Sequence, residues 1–259
     1  MSAMLPLVFI TGASSGIGQA LAKQYYDAGY RLALVARRAQ AIAAWAQTQS
    51  LDAARYQIYP ADVTVIDSIV AAGQQCLQLQ GLPDVVIANA GISIGVDSAQ
   101  REDLDAMAQV FATNNTGMAA TFHPFIGPMR ARRSGTLVGI ASVAGIRGLP
   151  GHGAYCASKA AAISYCESLR GELRGTGVQV VTIAPGYIDT PLTQKNRYPM
   201  PFLMTAKAFA QRAFSTIGAG TSYRVIPWQM GWVAILLRLL PNAVLDRVLA
   251  SQPRKHRGS

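Results

Sequence analysis

The sequence predicts an α/β fold: a doubly wound parallel sheet of about seven strands with helices on both faces. Three observations predict it. Short apolar runs recur at residues 7–10, 32–35, 56–59, 85–88, 136–140 and 178–183, and each is followed by room for a crossover helix. Most of these runs are continuously hydrophobic rather than alternating, as strands buried on both faces require. A glycine-rich turn follows the first run directly and opens an amphipathic helix through Ala28. Right-handed crossovers then wind the sheet both ways from its first strand. Residues 224–227 read as the last strand and 228–240 as an apolar helix.

Composition supports one large core. Of 259 residues, 51% are hydrophobic and 14% charged, ample apolar material and no bias toward disorder. No linker or repeat interrupts the series, so residues 1–259 read as a single domain, with a segment at 190–220 and a C-terminal extension at 223–259 set apart by composition. Cys76, Cys156 and Cys166 are odd in number and lack metal-ligand spacing, and no metal is expected. Residues 1–6 carry no basic stretch ahead of an apolar run, so a reducing, cytoplasmic setting is expected.

The net charge of +10 is unevenly spread. Residues 1–189 hold 13 Lys and Arg against 12 Asp and Glu, whereas residues 190–259 hold 10 against the single Asp246. A nucleic-acid reading would want basic and aromatic residues on one binding module, whereas this quarter pairs its charge with a greasy stretch, and no nucleic-acid partner is expected. That pairing suits anionic lipid headgroups. At about 13 residues, 228–240 is shorter than the ~20 that span a bilayer. It either lies in the headgroup interface or packs on the core or on a partner subunit.

Thr11-Gly12-Ala13-Ser14-Ser15-Gly16-Ile17-Gly18 places a sharp turn ahead of a helix N-terminus, the arrangement that receives a dinucleotide pyrophosphate. Gly12, Gly16 and Gly18 permit close backbone approach, Ser14 and Ser15 offer hydroxyl donors, and Ile17 lies within the motif. The second strand ends at Ala36-Arg37-Arg38, where an NAD site would carry an acid for the ribose hydroxyl. Two guanidiniums in its place favour NADP(H), with Arg37 on the 2′-phosphate and Arg38 either beside it or capping the next helix. Asp62-Val63 and Asn89-Ala90-Gly91 end the third and fourth strands, at the edge where ligands bind in such sheets. Asp62 could accept from an adenine amine; Asn89 either contacts the cofactor or holds neighbouring strands.

The chemistry rests on Tyr155-Cys156-Ala157-Ser158-Lys159. Tyr155 and Lys159, four apart on a helix, share one face, and Ser142 closes an apolar strand within reach of them. A phenol titrates near pH 10, so it needs help to trade protons at neutrality. The neighbouring ammonium, aided by the positive charge of an oxidised nicotinamide ring, is expected to lower it. Tyr155 then protonates a carbonyl oxygen held by Ser142, or takes the proton back in reverse.

With these motifs in place, the chain resembles the short-chain dehydrogenase/reductase family, over roughly residues 5–191. Thr11-Gly12-x3-Gly16-x-Gly18, Asn89-Ala90-Gly91, Asn114-x2-Gly117, Ser142, Tyr155-x3-Lys159 and Pro185-Gly186 occur in the family's order. The resemblance implies a Rossmann-like sheet, NAD(P)(H) binding and a tetrad of Asn114, Ser142, Tyr155 and Lys159. It further implies that Asn114 holds a water linking Lys159 to solvent and that Lys159 binds the nicotinamide ribose. Pro185, Gly186, Ile188 and Thr190 line the nicotinamide pocket by the same likeness, and relatives usually form homodimers or homotetramers.

The resemblance also implies that residues 192–220 fold over a small-molecule substrate. Tyr198, Pro199, Met200, Pro201, Phe202, Leu203 and Met204 suit a lipophilic one or pack against the domain body or a partner subunit. His152 either faces substrate or caps a helix. The leading function is an NADPH-dependent carbonyl reductase or alcohol dehydrogenase. The alternative is a non-catalytic NADP-binding regulatory protein on the same fold.

Overall fold

A computed structural model describes residues 5–194 and 199–250. Tyr198 and the basic run Arg254 to Arg257 lie outside them. The described chain runs β1 (Leu7–Thr11), α1 (Gly16–Asp27), β2 (Arg31–Ala36), α2 (Ala39–Thr48), β3 (Tyr56–Pro60), α3 (Ile66–Leu79) and β4 (Val85–Ala88). It continues through α4 (Asp103–Phe111), α5 (Gly117–Arg132), β5 (Gly135–Ile140), α6 (Gly153–Glu172) and β6 (Val178–Pro185). The last part comprises β7 (Ile188–Asp189), β8 (Met204–Thr205), α7 (Ala206–Gly218), β9 (Tyr223–Ile226), α8 (Trp228–Leu239) and α9 (Asn242–Ala250).

Seven strands pair in parallel in the order β3-β2-β1-β4-β5-β6-β9. The direction of winding reverses between β1 and β4, so the crossover loops diverge there and leave a crevice at the carboxyl ends of the strands. The expected doubly wound sheet of seven strands is what the chain forms. The last strand lies one residue earlier than expected, because Pro227 lacks the N–H a ladder needs and instead precedes α8.

Alternation within β1 feeds two cores. Leu7 and Phe9 face one side with Tyr59, Phe122 and Phe125, under α3, α5 and α6. Val8 and Ile10 face the other with Leu21, Tyr25, Ile42 and Phe209, under α1, α2 and α7. The Phe9 ring sits 4.8 Å from Phe125 and 6.4 Å from Tyr59 by centroid. Fully burying each such side chain contributes roughly 1.5–3 kcal/mol, which fixes the sheet that carries the site. A Cβ on Gly73 would lie 2.7 Å from Pro124 Cγ, so the glycine sets the close approach of α3 to α5.

Two features lie beyond the sequence reading. β7 and β8 form a separate two-stranded ladder, with Ile188 opposite Met204, that closes the 190–203 loop at its base. Residues 242–250 form the helix α9.

Candidate active site

The crevice at the β1–β4 switch is a cleft of about 440 Å³. Its floor is built by Thr11, whose buried Oγ1 accepts from the N–H groups of Asn89 (3.1 Å) and Ala90 (3.2 Å). Asn89 answers by donating from Nδ2 to the Thr11 carbonyl at 3.0 Å and to that of Gly12 at 3.4 Å. Of the two roles open to Asn89, its amide thus performs the supporting one, while the residue also lines the cleft. Gly12 and Gly16 adopt φ of +69° and +55°, conformations that side chains resist. Ser15 caps α1 without a side-chain bond, and no acid occupies the helix's first turn. A helix end left this way suits a phosphate.

Gly12, Ser14, Ser15, Gly16, Ile17, Arg37, Arg38, Asp62, Val63, Asn89, Ala90, Gly91, Pro185, Gly186, Ile188 and Thr190 all line this cleft, with Ser142, Tyr155 and Lys159 at one end. Gly18 does not. A Cβ there would fall 2.2 Å from the Gly12 carbonyl oxygen, so its work is close packing of α1 on the turn rather than contact with a ligand. On the rim, Arg37 Nη1 stands 3.6 Å from Asp62 Oδ2, with Arg37 67% exposed. Burial pushes the Asp62 carboxyl up, yet bonds from the Thr64 N–H and hydroxyl, joined by Arg37, outweigh it and hold the group below its ordinary range. Arg38 Nη2 reaches Ser14 Oγ at 3.4 Å. The Arg38 side chain therefore turns toward the glycine turn and makes no side-chain cap on α2.

At the other end, Ser142 terminates the apolar run of β5 and caps the short turn Val143–Gly145, its Oγ accepting from the Ala144 N–H at 3.2 Å. A Cβ on Gly145 would lie 2.6 Å from the Lys159 carbonyl carbon, so this turn presses directly on α6. Tyr155 and Lys159 project from α6 into the cleft as the i, i+4 spacing predicts. Lys159 is buried, its Nζ donating to the Ile140 carbonyl at 2.9 Å. Burial pulls its ammonium down to about 8.

The expected lowering of Tyr155 by Lys159 is corrected by this geometry. Burial raises the Tyr155 phenol, a hydrogen bond with Ser142 pulls it back, and Lys159 is not among the groups that move it. The reason is position: Nζ is committed to the strand end and stands 5.7 Å from the Tyr155 ring centre.

Asn114 sits in a π-turn, Ala112–Thr116, between α4 and α5, and is fully buried. Its Oδ1 accepts from the Ile92 N–H at 2.9 Å. Its Nδ2 donates to the Ile92 carbonyl at 3.0 Å and to Ser158 Oγ at 2.9 Å. The side chain lines no part of the cleft and is spent on joining the loop after β4 to α6. Gly91 beside it leaves room, since its Cβ would come 3.5 Å from Lys159 Nζ.

A second cavity of about 510 Å³ opens on the far side of Tyr155 and Ser142, which line both spaces. Its wall is largely apolar and comes from α8 and α9: Met230, Val233, Ala234, Leu237, Val248 and Leu249. The 190–203 segment contributes Leu192, Thr193, Pro199 and Pro201, whereas Phe202 and Leu203 are exposed. Among the described residues, the C-terminal extension supplies more of this wall than the 190–203 segment does. His152 makes no side-chain cap on α6 and lines this cavity. The contribution of α8 was unreadable because its apolar residues surround the helix and name no inner face.

The family model described as short chain dehydrogenase matches residues 6–200. The chain belongs to that family. An uncharacterised oxidoreductase of Myxococcus xanthus is 37% identical to this short-chain dehydrogenase over 237 residues, covering 92% of this chain and 93% of that one. Dehydrogenase/reductase SDR family member 7B of Bos taurus is 32% identical over 271 residues, covering 98% and 83%. Among solved structures, a short chain dehydrogenase/reductase of Burkholderia phymatum in complex with NAD superimposes with a TM-score of 0.82 at 23% identity, covering each chain fully.

The chain is therefore an oxidoreductase of a family that uses nicotinamide cofactors, and the glycine cradle, the bare N-terminus of α1 and the cleft reaching Tyr155 fit such a group. When bound, a nicotinamide supplies hydride exchange with carbon.

Lys159 gives a pH signature. Its folded value near 8 lies below the ordinary lysine value of ~10.4, so the unfolded chain binds more protons between the two. Stability of the wild type relative to Lys159→Met should rise from about pH 8 toward that ordinary value and stay level below about 8. Urea unfolding across this range measures it, and a difference independent of pH contradicts the burial of a titrating ammonium.

Proposed function

We propose that this short-chain dehydrogenase is an NADPH-dependent carbonyl reductase, or in reverse an alcohol dehydrogenase, acting on a lipophilic ketone or secondary alcohol. One observation carries the reading: Tyr155 and Ser142 line both the glycine-rich cleft and the apolar cavity. A carbonyl in the cavity can reach the Tyr155 hydroxyl while its carbon faces the cleft. Ser142 holds the oxygen, and Tyr155 passes it a proton as the carbonyl becomes an alcohol. Lys159, charged below about pH 8, keeps its Nζ on the Ile140 carbonyl and so holds α6, and Tyr155 with it, against the strand end.

The preference for NADP(H) rests on Arg37 and Arg38 at the end of β2, where no acid stands. Arg37 already faces Asp62, but an exposed pair of this kind is worth only about 0–1 kcal/mol. A phosphate dianion is the stronger partner for a guanidinium.

The test is NADPH oxidation followed against ketones of rising chain length, with NADH in parallel. Arg37→Ala should lower kcat/KM for NADPH by roughly 10- to 100-fold, the loss of a charged hydrogen bond of about 1.5–3 kcal/mol, and leave NADH nearly unchanged. Tyr155→Phe should lower turnover at least ~100-fold. Preference for NADH overturns the cofactor assignment. Full turnover by Tyr155→Phe overturns the role of Tyr155 in the chemistry, whereas NADP(H) binding with no turnover by the wild type favours a regulatory NADP-binding role.

We also propose peripheral contact with anionic membranes through the outer face of α8. Trp228, Trp232, Leu236 and Leu239 are 61%, 67%, 62% and 75% exposed, in the quarter of the chain with a charge balance of +9. No helix among the described residues is long and apolar enough to cross a membrane. Co-sedimentation with phosphatidylserine vesicles should exceed that with phosphatidylcholine and fall on Trp228→Ala/Trp232→Ala. Equal partition, or self-association that the double variant abolishes in its place, contradicts it.

A further inference from the structure

Among the described residues, the apolar cavity has one permanently charged residue in its wall, Arg147, and no acid. Arg147 stands in the loop between Ser142 and Tyr155. Its Nη2 donates to Asn242 Oδ1 at 2.8 Å and to the Leu240 carbonyl at 3.3 Å, both neutral acceptors at the α8–α9 junction. Its Nε is buried and finds no acceptor. No carboxylate pairs with the guanidinium among the described residues. A cation set against apolar walls with an orphaned buried N–H is costly unless an anion completes it.

Resting on the reductase reading above, we propose that Arg147 is a specificity-determining residue and that the substrate is a lipophilic carbonyl compound carrying a carboxylate. The alkyl portion meets Met230, Val233 and Leu237, the carbonyl meets Tyr155, and the carboxylate meets Arg147. A guanidinium matches a carboxylate in shape as well as charge. The tie to Asn242 and Leu240 through Nη2 holds the arginine in place in the cavity wall.

Binding of octanoate and its neutral isostere octanamide, measured by calorimetry, reads this directly. The wild type should bind octanoate at least tenfold more tightly. Arg147→Met should erase that preference and leave octanamide binding unchanged, while Arg147→Lys should keep part of it. Because Arg147 also anchors the α8–α9 junction, Asn242→Ala serves as a control that removes the shorter of its two anchoring bonds and keeps the charge, and its octanoate preference should survive.

Equal affinity of the wild type for both probes, no binding of either, or a preference retained in Arg147→Met overturns the assignment. Parallel NADPH assays with 2-octanone and 7-oxooctanoate separate the two readings. Turnover of both without preference for the acid sinks the role of Arg147 alone; turnover of neither sinks the reductase reading beneath it.

Discussion

A single buried hydrogen bond organises the reactive end of this molecule. Lys159 Nζ donates to the Ile140 carbonyl at 2.9 Å, and so pins α6 to the carboxyl end of β5. Ser142 lies two residues beyond Ile140 and Tyr155 one turn before Lys159, so the same bond sets the hydroxyl and the phenol side by side. An ammonium taken from water needs such a partner, because burial alone drives it toward neutrality. Asn114 reinforces the joint from behind by holding Ser158 and both polar groups of Ile92.

The rest of the fold places that joint next to a ligand space. Two cores on the two faces of the sheet fix the strand ends, and the reversal of strand order between β1 and β4 leaves the crevice. Thr11 and Asn89 clamp the crevice floor through four hydrogen bonds that cross from β1 to β4. Tyr155 and Ser142 then stand in the partition between a cleft with a bare helix N-terminus and a cavity of mostly apolar walls.

Much of this was legible in the sequence for definite reasons. Continuous apolar runs have one good solution, a sheet covered on both faces, and the i, i+4 spacing of Tyr155 and Lys159 fixes their common face on any helix. The packing work of Gly18 was not legible because the motif gives three glycines without saying which approaches a ligand and which approaches backbone. The electrostatics of Tyr155 were misread because spacing fixes proximity but not depth: Nζ turns into the strand end, and burial dominates. The cavity wall was missed because α8 is apolar all round, so no hydrophobic stripe marks Met230 and Ala234 as the inner side. Arg147 escaped notice for a related reason. Its meaning lies in the absence of a nearby acid, which only the assembled wall reveals.

The most direct check is a crystal structure of the wild type with NADP(H) and a bound ketone or its alcohol. The expected result is the substrate oxygen within about 2.6–3.2 Å of both the Tyr155 hydroxyl and Ser142 Oγ. The dinucleotide should run along the glycine turn, with the alkyl portion of the substrate under α8. A substrate oxygen remote from Tyr155, or a dinucleotide seated elsewhere, would contradict the role of this partition as the place where the two ligands meet.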